Sequence, residues 1–381
     1  MRRAPSTACG GFSLIELMVT LAIGLVLTLA ISMMVVRQES LRRGVTSGND
    51  LTSNTAYAAF LLDRELRSAG AGFSQASSAN YGCDLNVSLN GAQLLPATAA
   101  FPAPFATVPQ TYVLAPLIIH AGAGANGSDV IAVATGNSAL SESALPVSPR
   151  STAAGQLKLA NTLGIRGGDL VLLSQAGVGC MVQQVSNGFA GGAAQTLTFG
   201  GAYAANTING LALTGFSNGN AFVSLLGNVN GNPPRFMLFG VGDNATLFSY
   251  DLLKLSSSNA EALVEGVVDM RVLYGVDTVR AGLEQVTAWI APSAAGYTAA
   301  ELTSGTAVAQ TNLQSIYAVR VGLILRSELV EKSDVTPDTL TMFSDLGAGA
   351  TYTYTVPTGT ANQRYRVVEF TVPLRNVRYS R

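Results

Sequence analysis

Few residues in this chain have the types and spacing to do chemistry. The single histidine, His120, ends an apolar run, and a histidine metal site needs partner ligands that are missing around it. It reads as a turn or edge residue. The run GAGANG (122–127) has the form GxGxxG, but a dinucleotide site needs a helix next, so that its N-terminus meets the pyrophosphate. Here SDVIAVAT follows, a strand pattern, and the glycines read as a hairpin loop. Asp334 and Asp338, near Thr336, are too sparse to cage an ion, and no serine elbow, Walker loop or calcium-loop spacing occurs. Trp289, the only tryptophan, sits in VTAWIA and is expected in the core, with a receptor contact as the other option. No catalytic residue, cofactor or metal is expected, and the chain does not read as an enzyme.

The residue that demands a reason is Glu16. From Phe12 to Val36 every other residue is apolar, small or uncharged. A carboxylate in a membrane-length segment costs roughly 2.5–3.5 kcal/mol to insert. The stretch is about 37 Å long as a helix, enough to cross a ~30 Å hydrocarbon core with some tilt. A cleaved secretory signal has a shorter apolar stretch, with small residues after it. Here the small pair, Gly10-Gly11, comes before it. Cleavage there removes a short basic leader and leaves the helix attached, so the segment reads as an anchor processed on its cytoplasmic side. Arg2 and Arg3 precede the helix while Arg37, Arg42 and Arg43 follow it, so the positive-inside count alone does not favour that orientation.

Composition bounds the rest. The chain has 381 residues, of which only 12% are charged against about 25% in an average soluble domain. With 40 glycines and much Ala, Ser, Thr, Asn and Val, it suits a β-rich extracytoplasmic protein with many turns. A formal net charge of −1 offers no basic excess for phosphates, so no nucleic-acid partner is predicted. Arg364, Arg366, Arg375, Arg378 and Arg381 gather at the C-terminus and read as a solvated strand face and tail.

Beyond the apolar stretch, Leu51, Thr55, Ala58, Leu62, Leu66 and Ala69 recur at helical spacing, with Glu39, Arg42, Arg43, Asp63, Arg64 and Arg67 mostly off that stripe. Gly44 and Gly48 should weaken the helix between membrane and stripe, and Gly70 and Gly72 should end it. After that, TYVLAPLIIH, SDVIAVAT, DLVLLS, CMVQQVS, RFMLFGV and TLFSYDL are strand-length runs. Between Gly188 and Asn232 the Gly/Ala/Asn-rich sequence reads as loops or short edge strands. In VVDMRVLYG, alternation would put Val268, Met270, Val272 and Tyr274 on one side.

GG-FSLIELMVTLAIG resembles the class III signal of type IV prepilins and type II secretion pseudopilins. LVEGVVDMRVLYGVD (263–277), IYAVRVGLILRSE (316–328) and YRVVEFTVPLRN (365–376) resemble the closing segments of PilW-type minor pilins. The resemblance implies an α+β pilin-like fold, with a long N-terminal transmembrane helix packed on an antiparallel sheet. It implies a leader at 1–11, a membrane helix at 12–36, the outer half of the helix at 37–72 and a β-rich head at 73–381. It implies cleavage between Gly11 and Phe12 by a prepilin peptidase, N-methylation of Phe12, and an assembly role for Glu16, then the fifth residue of the mature chain.

The implied function is a minor pilin in pilus assembly or priming, and the alternative a GspJ-like minor pseudopilin of type II secretion. A membrane-tethered enzyme is disfavoured by the lack of a polar catalytic constellation. The implied partners are other major and minor pilins, the prepilin peptidase, the inner-membrane assembly platform and, as a further candidate, a tip adhesin. The implied location is the inner membrane, single-pass with a periplasmic head, and then the fibre. Cys9 would leave with the leader. Cys83 and Cys180 then form an even pair in an oxidising compartment and are expected to be bridged, the alternative being two buried thiols.

Overall fold

A computed structural model describes residue 11 and residues 13–138, 143–149, 155–192, 194–216, 219–279 and 285–379. Its dominant element is helix α1, Leu14–Arg67. Ser13 caps its start, its hydroxyl accepting from the Glu16 amide at 3.2 Å, which satisfies one of the free donors of the first turn. The helix runs unbroken through Gly44 and Gly48, so these glycines do not interrupt it. It stops where Gly70 and Gly72 take up φ of 82° and 81°, left-handed values that favour glycine.

The expected stripe is the buried one: Leu51, Thr55, Ala58, Leu62, Leu66 and Ala69 all face the core. They close over a four-stranded antiparallel sheet in the order Ala288–Ile290, Val267–Val276, Ile316–Val330, Gln363–Pro373. The three C-terminal segments singled out in the sequence are therefore adjacent strands of one sheet, and α1 packs directly on the two at its C-terminal side, Ile316–Val330 and Gln363–Pro373. One detail differs. A bulge between Val267 and Asp269 breaks the alternation, so Val267, Met270, Val272 and Tyr274 share the helix-side core while Val268 turns to the opposite face.

On that opposite face a small aromatic core forms beneath a ribbon of Thr339–Met342 and Tyr352–Thr355. Trp289 belongs to this satellite. It is half-buried on an edge strand against Gly275 rather than in the main core, because the shortest strand of the sheet leaves its outer side open.

A five-stranded antiparallel sheet, in the order Glu261–Glu265, Thr246–Asp251, Arg235–Gly242, Val130–Thr135, Leu117–His120, completes the main core. Residues 122–127 form the loop of the hairpin between its last two strands, with Asn126 at φ 54°, as the strand pattern after them required. A six-stranded sheet carries the middle of the chain, in the order Ala92–Leu95, Leu85–Leu89, Gly179–Gln184, Asp169–Gln175, Ala221–Asn228, Leu145–Pro146. It has a second core of its own around Leu157, Val171, Met181, Phe216 and Val223. Ala221–Asn228 corrects the reading of 188–232 as loops or edges: it is a mostly buried strand between two neighbours. Its AFVSLLGN pattern is apolar on both faces, which the flanking glycines and asparagines mask.

Candidate functional site

Gly11 is exposed, with open space around it; Cys9 and Phe12 lie outside the described residues. Glu16 stands in the first turn of α1, where a carboxylate suits the positive end of the helix dipole. Around it the helix presents Leu14, Ile15, Leu17, Met18 and the apolar residues up to Val36 at 52–78% exposure. Such a surface must be covered by something other than the chain itself. The hydroxyls of Thr20 and Thr28 donate back to the carbonyls of Leu17 and Leu25, at 3.0 and 2.9 Å, so they need no water. Among the described residues α1 is the one helix long and apolar enough to cross a membrane.

The other half of the site is the joint that fixes this helix to the head. Glu65, nearly buried, accepts from Arg64 at 2.7 Å and from Arg235 at 2.9 Å. The end of the helix is held by backbone bonds, from the Gly70 amide to the Ala134 carbonyl and from Gly136 to Ala71, both 2.8 Å. Lower down, Arg366 donates to the Thr52 hydroxyl at 2.7 Å, and Arg364 pairs with Glu331 at 2.9 Å beside Gly44. The C-terminal arginines are thus not simply a solvated face. Arg364 and Arg366 reach the helix, whereas Arg375 is exposed and Arg381 lies outside the described residues.

Cys83 and Cys180 are bridged, with Cα atoms 5.7 Å apart across 97 residues. The bond joins the segment just after α1 to the middle sheet, beside a parallel strand pairing where Leu85 faces Cys180. Cys180 is buried in the main core and Cys83 packs against it, so the bridge holds the inner face of the middle sheet to the helix-bearing part of the head.

Sequence reasoning missed a buried polar cluster. Asp129 accepts from the amides of Gly122 and Val272, at 3.0 and 2.9 Å, binding the hairpin loop to the four-stranded sheet. Asp269 and the partly covered Arg271 lie next to it, and Arg271 donates to the Tyr352 hydroxyl at 2.7 Å while stacking on that ring. Burial raises both carboxyls above their ordinary value, and the nearby guanidinium opposes the rise. Every group here is turned inward to its neighbours, so the cluster joins sheets; no sequence signal beyond a carboxylate before an apolar strand marks it. His120 sits half-buried on the edge strand, its imidazole pushed down to about 4 by burial. It lines a cavity of about 580 Å³ with Val108, Tyr112, Ile118 and Pro292. Among the described residues no group of three or more His, Cys, Asp or Glu side chains converges on a metal position.

Comparison with known families agrees with this anatomy. Residues 7–32 match the prokaryotic N-terminal methylation motif, and residues 240–376 match type IV pilus-assembly protein W. No curated protein and no solved structure matches the chain. The methylation motif at the head of an unburied apolar helix, with an antiparallel β-rich head, supports a type IV pilus-related pilin. The second match supports a PilW-type chain: the matched segment supplies the strands Ile316–Val330, Gln363–Pro373 and Glu261–Glu265 that α1 packs against. Pilin-family domains point to a structural rather than an enzymatic protein.

Proposed function

We propose that the chain is a minor pilin that takes part in assembling or priming a type IV pilus, polymerising through α1 with its head on the periplasmic side. The observation that carries this reading is a methylation-motif helix whose apolar half the chain leaves uncovered, while its other half is fixed to a PilW-type sheet. A GspJ-like pseudopilin shares the N-terminal signal, and the match to assembly protein W favours the pilus.

On this reading a prepilin peptidase cuts between Gly11 and Phe12 and methylates Phe12, leaving a protonated amine near the membrane boundary. Glu16 lies one helical turn further in, where a lone carboxylate is poorly solvated. Its partner is that amine, its own or an adjacent subunit's. Pairing between subunits selects one register as apolar helices pack, since slipped registers leave two charges unpaired. The partners are other pilins, the peptidase and the assembly platform.

Glu16→Ala should be cleaved and fold normally, yet fail to recover other pilins on crosslinking or co-purification, with fewer surface pili. Wild-type partner recovery and piliation from a correctly processed Glu16→Ala protein would reject the role of Glu16.

A further inference from the structure

We propose that the lower tip of the head, Leu329 to Val335, rests in the headgroup layer of the bilayer that α1 spans, and so sets the direction in which the helix tilts. This rests on the reading of α1 as a membrane span. Among the described residues, six large apolar side chains outside α1 are exposed: Leu163, Val279, Val308, Leu329, Val330 and Val335. Three of the six lie together at the end of the strand Ile316–Val330, where Val330 pairs with Gln363 and the Val335 amide donates to the Ala361 carbonyl, so this is a patch rather than the scattered exposure every surface shows.

Its position is fixed by the sheet. The long strand Ile316–Val330 begins level with the end of α1, where Ala318 pairs with Pro373 and the following Asn376 reaches Ser68. It ends level with Gly44, whose backbone lies against Arg364 and Glu331. The tip therefore points toward the apolar half of the helix. Gly44 is about 12 Å along the axis from Val36, the last residue of the apolar stretch.

A bilayer adds roughly 5–7 Å of headgroup layer on each side of a ~30 Å core. The apolar stretch, about 37 Å long, exceeds that core, and a helix that is too long tilts. Tilt toward the head lowers the tip into the headgroup layer; tilt away would lift three apolar side chains into water. Arg37 and Arg42 are exposed on the helix between the apolar stretch and the tip, and Lys332 is exposed on the tip itself, as is usual for side chains at a lipid boundary. The exposed carboxylates Glu328 and Asp334 flank the patch, so the match is to the headgroup and acyl boundary in general rather than to anionic lipid.

The test places a single tryptophan in the full chain, on a Trp289→Phe background, in phosphatidylcholine vesicles whose acyl chains are brominated at shallow or deep positions. Val330→Trp and Val335→Trp should each shift emission to the blue and lose intensity to shallow bromines. Leu25→Trp, inside the span, should lose intensity to deep bromines, and Val308→Trp, at the far end of the head, should lose none. Unquenched probes at both tip positions with a quenched Leu25→Trp would overturn the tip proposal and leave the span standing. No quenching at any position would overturn both, and equal quenching at Val308 would show unspecific adsorption and overturn the proposal.

Discussion

Asn376 donates its side-chain amide to the carbonyls of Ser68 and Ala69, at 3.1 Å each, across more than 300 residues of chain. Carbonyls at a helix end have no partner within the helix, so the last residue of the PilW-matching segment closes off the end of the N-terminal helix. Asn376→Ala should destabilise the head by about 1–3 kcal/mol, and Asn376→Asp, which cannot donate, by at least as much. Urea denaturation measures both; an unchanged midpoint would show that water satisfies these carbonyls equally well.

The bridge between Cys83 and Cys180 spans 97 residues. On the loop-entropy argument, Cys180→Ser should cost about 2–5 kcal/mol. The loss should appear first as faster proteolysis of the middle sheet, which shares one face with the main core through Leu170, Leu172, Cys180 and Val182 and carries the second core on the other. Non-reducing peptide mapping that finds free thiols in native material would contradict the assignment.

Two glycines should respond in opposite directions. Gly48 is helical and has open space where a Cβ would stand, so Gly48→Ala should add roughly 0.5–1 kcal/mol of stability. Gly72 has φ of 81°, and an added Cβ would lie 3.0 Å from the Leu225 carbonyl. Gly72→Ala should therefore destabilise, by about 1–3 kcal/mol. Thermal melts of the pair decide the matter, and a stabilised Gly72→Ala would sink the account of how α1 ends.

His120 sets an expectation for pH. Its imidazole titrates near 4 in the folded chain against an ordinary 6.5, so the unfolded chain binds the proton more readily. Its contribution to stability is complete above pH 6.5 and is lost as pH falls toward 4. His120→Gln should flatten that part of the profile and change stability little at pH 7. Asp129 and Asp269, raised by burial, act in the opposite sense, their protonated forms favouring the fold at low pH. They are common to both proteins, so the difference between the two profiles isolates His120. Parallel profiles would contradict the assignment.

The helix was legible because one periodicity governs it from Leu51 to Ala69, and burial follows that stripe residue by residue. The three C-terminal strands were legible for the same reason, until a single extra residue at the bulge moved Val268 to the other face. Local alternation carries no mark of a bulge. The strand Ala221–Asn228 escaped because a strand buried on both faces has no alternation to read, and glycine and asparagine crowd its ends. The joint of Glu65 with Arg235 spans 170 residues and depends wholly on tertiary placement. The proposals for cleavage and for Glu16, by contrast, rest on a contiguous motif and on no tertiary contact.

On the proposed function α1 begins as a processed pilin helix, and N-terminal mass spectrometry of the native protein reads that processing without an intermediate step. The mature chain should start at N-methylated Phe12 and lack Cys9. An intact Met1 terminus, in cells with an active prepilin peptidase, would contradict it.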